Sequence, residues 1–200
     1  QVRLPFEKKN EGFTDASKIQ YVARSGNFVR HGYRYKGTLR ILRMILGYDY
    51  LWINVRVKGG AYGCMNSYTR SGDSFFVSYR DPNLAQTNEI FEGIPEYLKN
   101  FEADEHDMAK YIIGTFGMID TPLNPEAKGI RSMDAYMRGI TYEQLQRERD
   151  EILSAQPEDI RSLAPLVQSV LDDKQLCVVG NENAIRQESG LFDEIQGLCD

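Results

Sequence analysis

The sequence predicts an α+β fold, in which helices cover one face of a mainly antiparallel sheet. Three observations support this prediction. Strand-like segments come early, helical patterns fill the middle of the chain, and a short apolar strand comes near the end. This late strand is expected to return into the same sheet. The 200 residues match a single domain, 1–200, with a linker-like lead-in at residues 1–12.

The first predicted strand is followed by the first predicted helix. Residues 19–24 mix aromatic and β-branched side chains, and the Ser-Gly-Asn sequence at 25–27 predicts a turn after that strand. Residues 38–46 are apolar at most positions, which predicts a largely buried helix. Gly47 is expected to end this helix.

A β-hairpin and two helices are predicted next. Residues 64–68 and 74–79 are its two strands, and the Ser-Gly-Asp sequence between them is its turn. One helix is expected over residues 81–101 and another over residues 104–117. The two prolines within residues 121–125 then break the helical pattern.

Helices also dominate the last third of the chain. Residues 133–154 are rich in Arg and Glu, with apolar residues at helical spacing, which predicts surface helices. Pro157 starts one more helix, whose apolar face consists of Ile160, Leu163, Val167, Val170 and Leu171. Residues 176–180 predict the late strand, and residues 192–198 predict a terminal helix.

Composition and charge exclude several classes of protein. The net charge of −5 disfavours non-specific nucleic-acid binding, which needs a local excess of Lys and Arg. Cys64, Cys177 and Cys199 form no C-x-x-C pair, so we expect reduced structural thiols. No apolar stretch approaches the ~20 residues that span a bilayer, and residues 2–13 lack a leader pattern. We therefore expect a soluble domain cut from a longer protein.

Candidate catalytic groups are sparse. His31 and His106 are the only histidines, and neither has a second histidine four positions away, so both are predicted to be solvated rather than zinc ligands. No G-x-S-x-G elbow or Cys-His arrangement indicates a nucleophile. The carboxylate-rich stretches are predicted to be solvated helix faces; they contain Glu148, Asp150, Glu151, Asp172 and Asp173.

Two segments have the composition of a binding site. Residues 30–36 interleave basic and aromatic side chains, as grooves for single-stranded RNA do, so an RNA-binding module is one alternative. Residues 59–63 (GGAYG) lack the Lys-Ser/Thr of a phosphate loop. Arg56 and Tyr62 flank this bend with a guanidinium and a phenol, which are groups that can grip a peptide. The alternative is a plain glycine turn with a packed tyrosine and a surface arginine.

A longer match involves residues 50–63. Their sequence, YLWINVRVKGGAYG, closely resembles the YLW..VR.KGGAYG signature of presequence-protease-like enzymes in the pitrilysin/insulinase family of zinc metallopeptidases. Later blocks resemble that family in the same order: YIIGT at 111–115, DTPL at 120–123, KG at 128–129, GIT at 139–141 and RDEIL at 149–153. Together the blocks cover most of the chain.

The resemblance implies what the parent protein looks like. Family members contain about four related α+β domains, of the mitochondrial-processing-peptidase type, and this chain resembles the last one. Two halves of such an enzyme close around a peptide. Zinc is bound by an H-x-x-E-H motif in the first domain, and this chain lacks that motif. The resemblance therefore implies a zinc cofactor bound outside this fragment, no metal in this chain, and no activity of the fragment alone.

The resemblance also implies a site and partners. Arg56 and Tyr62 would contact the peptide bond held on the zinc, and Gly59, Gly60, Ala61 and Gly63 would form the substrate-binding bend. The expected partners are a peptide substrate and the N-terminal half of the same polypeptide, without nucleic acid or membrane, and the separate fragment could form a homodimer. The expected compartment is the bacterial cytoplasm, or an organellar matrix in a eukaryote. A non-catalytic scaffold in a degenerate family member is the alternative.

Overall fold

A mixed sheet of six strands forms the centre of the computed structural model, which describes residues 8–198. The strands are β1 (Glu11–Asp15), β2 (Gln20–Asn27), β3 (Gly63–Tyr68), β4 (Asp73–Asp81), β5 (Gln175–Asn181) and β6 (Glu194–Gly197). Their order is β3-β4-β2-β5-β1-β6. The β3–β4, β4–β2 and β2–β5 pairs are antiparallel, whereas β1 runs parallel to both β5 and β6. The predicted α+β fold is confirmed, with a mixed sheet.

Most of the remaining described residues form helices. The α-helices are α1 (Thr38–Ile45), α2 (Ala85–Glu92), α3 (Ile94–Lys99), α4 (Glu105–Ile119), α5 (Pro125–Met137), α6 (Tyr142–Leu153), α7 (Pro157–Arg161), α8 (Ala164–Leu171) and α9 (Glu182–Gln187). Short 3-10 turns occur at Phe28–His31 and Ser189–Leu191, and π-helical segments at Leu46–Tyr50 and Trp52–Lys58. Within residues 8–198, no helix is long and apolar enough to cross a bilayer.

The core lies between the helices and one face of the sheet. Val22 of β2, Phe76 of β4 and Val178 of β5 are fully buried, because alternate side chains of a strand point to the same face. The predicted apolar face of the helical region after Pro157 is buried against them. Tyr21 on the opposite face is 45 % exposed. Helices therefore cover one face of the sheet, as predicted.

The late strand returns into the sheet as predicted. β5 lies between β2 and β1, antiparallel to β2 and parallel to β1. The predicted hairpin is also confirmed, as β3 and β4. The predicted turn at residues 25–27 is wrong, because β2 continues to Asn27. Gly26 allows close packing instead: a Cβ there would lie 2.2 Å from the carbonyl oxygen of Val170 in α8.

The helix predicted over residues 38–46 does not end at Gly47. Instead, the chain continues in π-helical geometry to Lys58. Glycine commonly ends a helix by adopting a left-handed conformation, and Gly47 has no positive φ. The buried residues Leu46, Leu51 and Val55 are five and then four positions apart, a wider spacing than in an α-helix. π-helical geometry therefore keeps one apolar face directed at the core.

Two predicted helical regions are divided differently. Residues 81–101 contain the end of β4 and then α2 and α3, which are separated at Gly93. Pro95 is placed in the first turn of α3, where its missing N–H has no cost. Residues 133–154 contain the end of α5 and all of α6, separated at Gly139, whose φ is +64°. A left-handed residue ends one helix before the Thr141 capping box starts the next.

The ends of the described chain also differ from prediction. The terminal helix predicted at 192–198 is wrong, because Glu194–Gly197 forms β6 alongside β1. Pairing with a distant strand determines the conformation of this short segment, and its own sequence does not indicate that pairing. Residues 1–7 of the linker-like lead-in lie outside the described residues, and its last two residues already belong to β1.

Of the predicted solvated carboxylates, Asp173 is buried and Glu148 is half-buried. Asp173 is 4 % exposed and accepts hydrogen bonds from Lys8 Nζ at 2.5 Å and from the backbone N–H of Asn27 at 2.8 Å. The side chain of Glu148 is 13 % exposed and accepts two hydrogen bonds from Arg70. Both carboxylates can be shielded from solvent because cationic partners compensate their charge, which a sequence pattern does not show.

Candidate functional site

The glycine bend predicted at residues 59–63 joins the π-helical segment Trp52–Lys58 to β3. The N–H of Gly60 donates to the carbonyl of Arg56 at 2.9 Å, which ties the bend to the last turn of the helix. The N–H of Tyr62 donates to the carbonyl of Arg80 at 3.2 Å, at the end of β4. Backbone hydrogen bonds therefore fix the bend at both ends.

Glycine is needed at three positions of the bend, for two different structural reasons. Gly60 has a φ of +81°, a conformation that residues with a Cβ rarely adopt. A Cβ on Gly59 would lie 2.5 Å from the carbonyl oxygen of Val55, and a Cβ on Gly63 would lie 2.4 Å from the ring of Tyr79. Gly60 thus allows the backbone to turn, and Gly59 and Gly63 allow close packing.

Arg56 lies on the helix side of the bend. Its guanidinium carbon is 4.3 Å from the centre of the Trp52 ring, and its Nη1 donates to the carbonyl oxygen of Tyr62 at 2.5 Å. A guanidinium carries five N–H donors, so most of them are left for another acceptor. The side chain is therefore held in place and still has donors to offer.

Tyr62 projects from the bend into solvent. Its side chain is 57 % exposed, and its ring meets the ring of Tyr79 edge-on, with centroids 5.6 Å apart. The guanidinium carbons of Arg56 and Arg80 lie 5.6 Å and 5.5 Å from the Tyr62 ring centre. An exposed phenol between two cations can donate a hydrogen bond to an anionic or carbonyl oxygen.

Cys64 lies next to this site, in β3. Burial raises the pKa of its thiol to about 11, and the nearby Arg56 only partly offsets this effect. The thiol is therefore protonated at neutral pH, and a protonated thiol is a poor nucleophile. This agrees with the absence of a nucleophile motif in the sequence.

The predicted site residues have different positions in the structure. Arg56 and Tyr62 come together on one side of the bend, as their spacing suggested. Gly60 is exposed and Gly59 is half-buried, so the backbone of both is accessible. Ala61 is only 3 % exposed and packs into the core, so its methyl group supports the bend.

Sequence reasoning missed two residues of this site. Trp52 supports Arg56 and lies four positions before it, within the segment that carries the family resemblance. Arg80 flanks Tyr62 only because β3 pairs with β4. Helical spacing could have indicated the first residue, whereas nothing in the local sequence indicates the second.

The histidines and carboxylates form no metal centre in the described part of the chain. Among residues 8–198, no group of three or more His, Cys, Asp or Glu side chains is arranged to hold a metal ion. His106 is exposed near the start of α4. His31 is not merely solvated, because its Nε2 lies 3.2 Å from Oδ1 of Asp173.

The basic and aromatic residues 30–36 do not form a stacking surface. Tyr33 and Tyr35 are both half-buried and pack against the core. The guanidinium of Arg70 lies 5.2 Å from the centre of the Tyr35 ring. Single-stranded nucleic acid is held by aromatic rings with free faces. This geometry therefore gives the RNA alternative no support.

Comparison with known families identifies the domain. A family model described as the PreP C-terminal domain matches residues 10–182. The chain belongs to the PreP C-terminal domain family. This membership agrees with the predicted resemblance to the presequence-protease branch of the pitrilysin family.

Relatives of this PreP C-terminal domain are much longer proteins. Protein HypA of Clostridium perfringens is 47 % identical over 191 residues, which are 96 % of this chain and 20 % of that protein. Presequence protease 1, chloroplastic/mitochondrial, of Arabidopsis thaliana is 36 % identical over 171 residues, 85 % of this chain and 16 % of that protein. The chain therefore spans a fifth or less of the length of these relatives.

The fold is also found in a solved peptidase structure. The crystal structure of pitrilysin matches with a TM-score of 0.58 and 15 % sequence identity, over 86 % of this chain and 19 % of that one. At this identity the likeness concerns the fold alone. The PreP C-terminal domain thus shares the architecture of a pitrilysin domain.

Proposed function

We propose that this chain is the C-terminal, substrate-binding domain of a zinc-dependent endopeptidase that degrades unstructured peptides. In this proposal Arg56 and Tyr62 contact the peptide at the active site, which the N-terminal half of the same polypeptide completes. The observation that carries the proposal is the pairing of an exposed Tyr62 phenol with the Arg56 guanidinium on a fixed bend. Membership of a family that includes presequence proteases supports it.

Tyr62 and Arg56 would act by donating hydrogen bonds. The phenol of Tyr62 would donate to the oxygen that becomes negatively charged as the peptide bond is attacked, and Arg56 would bind a neighbouring backbone carbonyl. Removing one such donor typically costs about 3 kcal/mol of transition-state stabilisation. Backbone hydrogen bonds fix both ends of the bend that carries these donors, so little reorganisation of the backbone would accompany the reaction.

The zinc of this proposal is bound outside residues 8–198, where no described cluster of side chains fits a metal ion. In a zinc peptidase the metal polarises the peptide carbonyl and activates a water molecule. This domain would supply only hydrogen-bond donors and binding surface. The alternative is a parent that has lost its zinc ligands and keeps the domain as a scaffold. The bacterial cytoplasm, or an organellar matrix in a eukaryote, stays the predicted compartment.

The test is peptide hydrolysis by the full-length parent carrying Tyr62→Phe, with zinc content measured in each preparation. We expect kcat/KM to fall about a hundredfold with unchanged zinc, because the substitution removes one hydroxyl and preserves the ring. Tyr136→Phe is the matched control, since Tyr136 is 84 % exposed on α5. Unchanged activity in Tyr62→Phe would contradict the role of Tyr62. A wild-type parent without zinc or activity would favour the scaffold.

A further inference from the structure

A pocket rich in arginine lies at the end of β3 opposite Tyr62. It has a volume of about 200 Å³ between α1, the β3–β4 turn and the end of α5. We call it the Arg pocket; its arginine and tyrosine lining consists of Arg40, Arg43, Arg70, Arg138, Tyr35 and Tyr68. Four guanidinium groups around one pocket stand out in a chain with a net charge of −5.

The positive charge of the Arg pocket is only partly compensated. Glu148 binds Arg70 at 2.6 Å and lies 3.9 Å from Arg40. Asp134 pairs with Arg138 at 3.0 Å, and both side chains are more than half exposed. The side chain of Arg43 makes no ion pair within the described part of the chain. Four cations thus face two carboxylates, which leaves an excess of positive charge at the pocket.

The pocket is also lined by a buried tyrosine. Tyr68 lines the pocket and is 9 % exposed, and its buried hydroxyl makes no hydrogen bond to any described residue. A buried hydroxyl without a partner is costly, so most such groups are satisfied in native proteins. Desolvation strongly raises the pKa of this phenol, so the hydroxyl keeps its proton and is a donor. The hydroxyl has almost no accessible surface, so a ligand in the pocket would contact the arginines and not this group.

β3 runs from the Arg56–Tyr62 site to the Arg pocket. β3 is an edge strand, and an adjoining cavity of about 270 Å³ is lined by Trp52, Met65 and Arg43, among others. Trp52 also supports Arg56, and Arg43 also lines the Arg pocket. Tyr62 and Tyr68 are separated by roughly 20 Å at the usual rise of a strand. An extended peptide spans this distance with roughly six residues.

We propose that the Arg pocket binds a carboxylate of the peptide substrate, roughly six residues from the bond that is cleaved next to Tyr62. The carboxylate is an acidic side chain of that peptide. Planar guanidinium groups hold carboxylates with paired hydrogen bonds. This inference rests on the proposed function, because it assumes that a peptide occupies the Arg56–Tyr62 site.

The experiment uses the full-length parent and a set of peptides that differ only in one position. Each peptide carries a single glutamate at a different distance from the cleaved bond, and its partner carries glutamine there. Mass spectrometry of the products reports the cleaved bond. We expect KM to be about tenfold or more lower for glutamate than for glutamine when that residue lies about six positions from the cut, with kcat little changed.

Variants locate this preference in the pocket. Arg43→Gln should remove the preference for glutamate, whereas Arg186→Gln should preserve it, because Arg186 is an exposed arginine on α9 away from the pocket. Tyr68→Phe should preserve the preference and leave the melting temperature of the protein unchanged or higher. The reason is that the substitution removes a buried hydroxyl that has no partner in the protein.

Three results would overturn the proposal. The first is equal KM for the glutamate and glutamine peptides at every position. The second is an equal effect of Arg43→Gln and Arg186→Gln on the preference. The third is binding of inorganic phosphate in place of the peptide carboxylate. Phosphate would then raise the melting temperature of the wild type but not of Arg43→Gln, and KM would be the same for the glutamate and glutamine peptides. Tyr62→Phe in the same assay separates the two claims: an unchanged rate contradicts the proposed function, whatever the glutamate preference is.

Discussion

Arg56 donates a hydrogen bond to the backbone carbonyl oxygen of Tyr62 while its guanidinium lies 5.6 Å from the centre of the Tyr62 ring. Arg56 belongs to the π-helical segment Trp52–Lys58, and Tyr62 lies just before β3. The glycine bend between them brings the side chains to one side. Their geometry is therefore a property of the bend, and changes on either side of it should affect the same step of the proposed peptide hydrolysis.

The planar shape of the Arg56 guanidinium should matter for activity. Arg56→Lys keeps the charge but replaces a planar fork of donors with a single ammonium group, so we expect kcat/KM to fall about tenfold or more in the full-length parent. Trp52→Leu removes the ring beneath Arg56 and should have a smaller effect, about two- to fivefold. Ile53→Ala, at an exposed neighbouring position, is the control. Full activity of Arg56→Lys would show that charge alone is sufficient.

Gly26 should be essential for stability. Gly26→Ala places a methyl group 2.2 Å from the carbonyl oxygen of Val170, so strand and helix must separate, and we expect a loss of about 1–3 kcal/mol. Gly129→Ala is the matched control in α5, where the added methyl group meets no atom within 4 Å. It should raise stability by about 0.5–1 kcal/mol. Urea unfolding measures the free energy of unfolding of both variants. Equal values would contradict the close packing of Gly26 against Val170.

Asp173 should stabilise the fold as a buried anion. Asp173→Asn loses the charged partner of Lys8, and we expect a destabilisation of about 1–3 kcal/mol at neutral pH. Asp172→Asn, at the exposed neighbouring position, should change stability little. Chemical unfolding of the two variants beside the wild type makes the comparison. Similar free energies of unfolding for both variants would mean that the buried charge of Asp173 does not stabilise the fold.

The contribution of Asp173 should depend on pH in one direction. Burial disfavours its charged form, but hydrogen bonds from Lys8, the Asn27 backbone and His31 outweigh burial and lower its pKa below the ordinary 3.8. A lowered pKa in the folded state means that the stabilisation is present above pH 3.8 and is lost as the pH falls through the lowered value. The difference in unfolding free energy between wild type and Asp173→Asn should therefore shrink as the pH falls below 3.8. A difference that grows on acidification would refute this reasoning.

Cys64 should resist alkylation in the folded protein. With a pKa of about 11, roughly one thiol in a thousand is ionised at pH 8, whereas roughly a quarter of ordinary cysteines are ionised there. Iodoacetamide should therefore label Cys64 more than about a hundredfold more slowly in the native protein than in urea. Peptide mass spectrometry over a time course measures both rates. Rapid labelling of the native thiol would place Cys64 in a more polar environment.

Elements with strong local signals could be predicted from the sequence. The β3–β4 hairpin has two strand-like runs around a Ser-Gly-Asp turn, and α4 begins at the N-cap residue Asp104. β1 and β6 could not be predicted in this way, because each is short and depends on parallel pairing with strands far away in the sequence. The same limit applies to the site: the bend with Arg56 and Tyr62 is local, whereas Arg80 and the Arg pocket are not.

The sequence by itself determined the α+β class, the membership of a peptidase family and the position of the glycine bend. These features depend on residues near one another in the chain, whose spacing directly reflects backbone geometry. Only the tertiary structure decided the π-helical path after Gly47, the burial of Asp173 and the grouping of four arginines around Tyr68. Those features depend on which distant segments pack together, and the free energy of that packing is not a property of any local pattern.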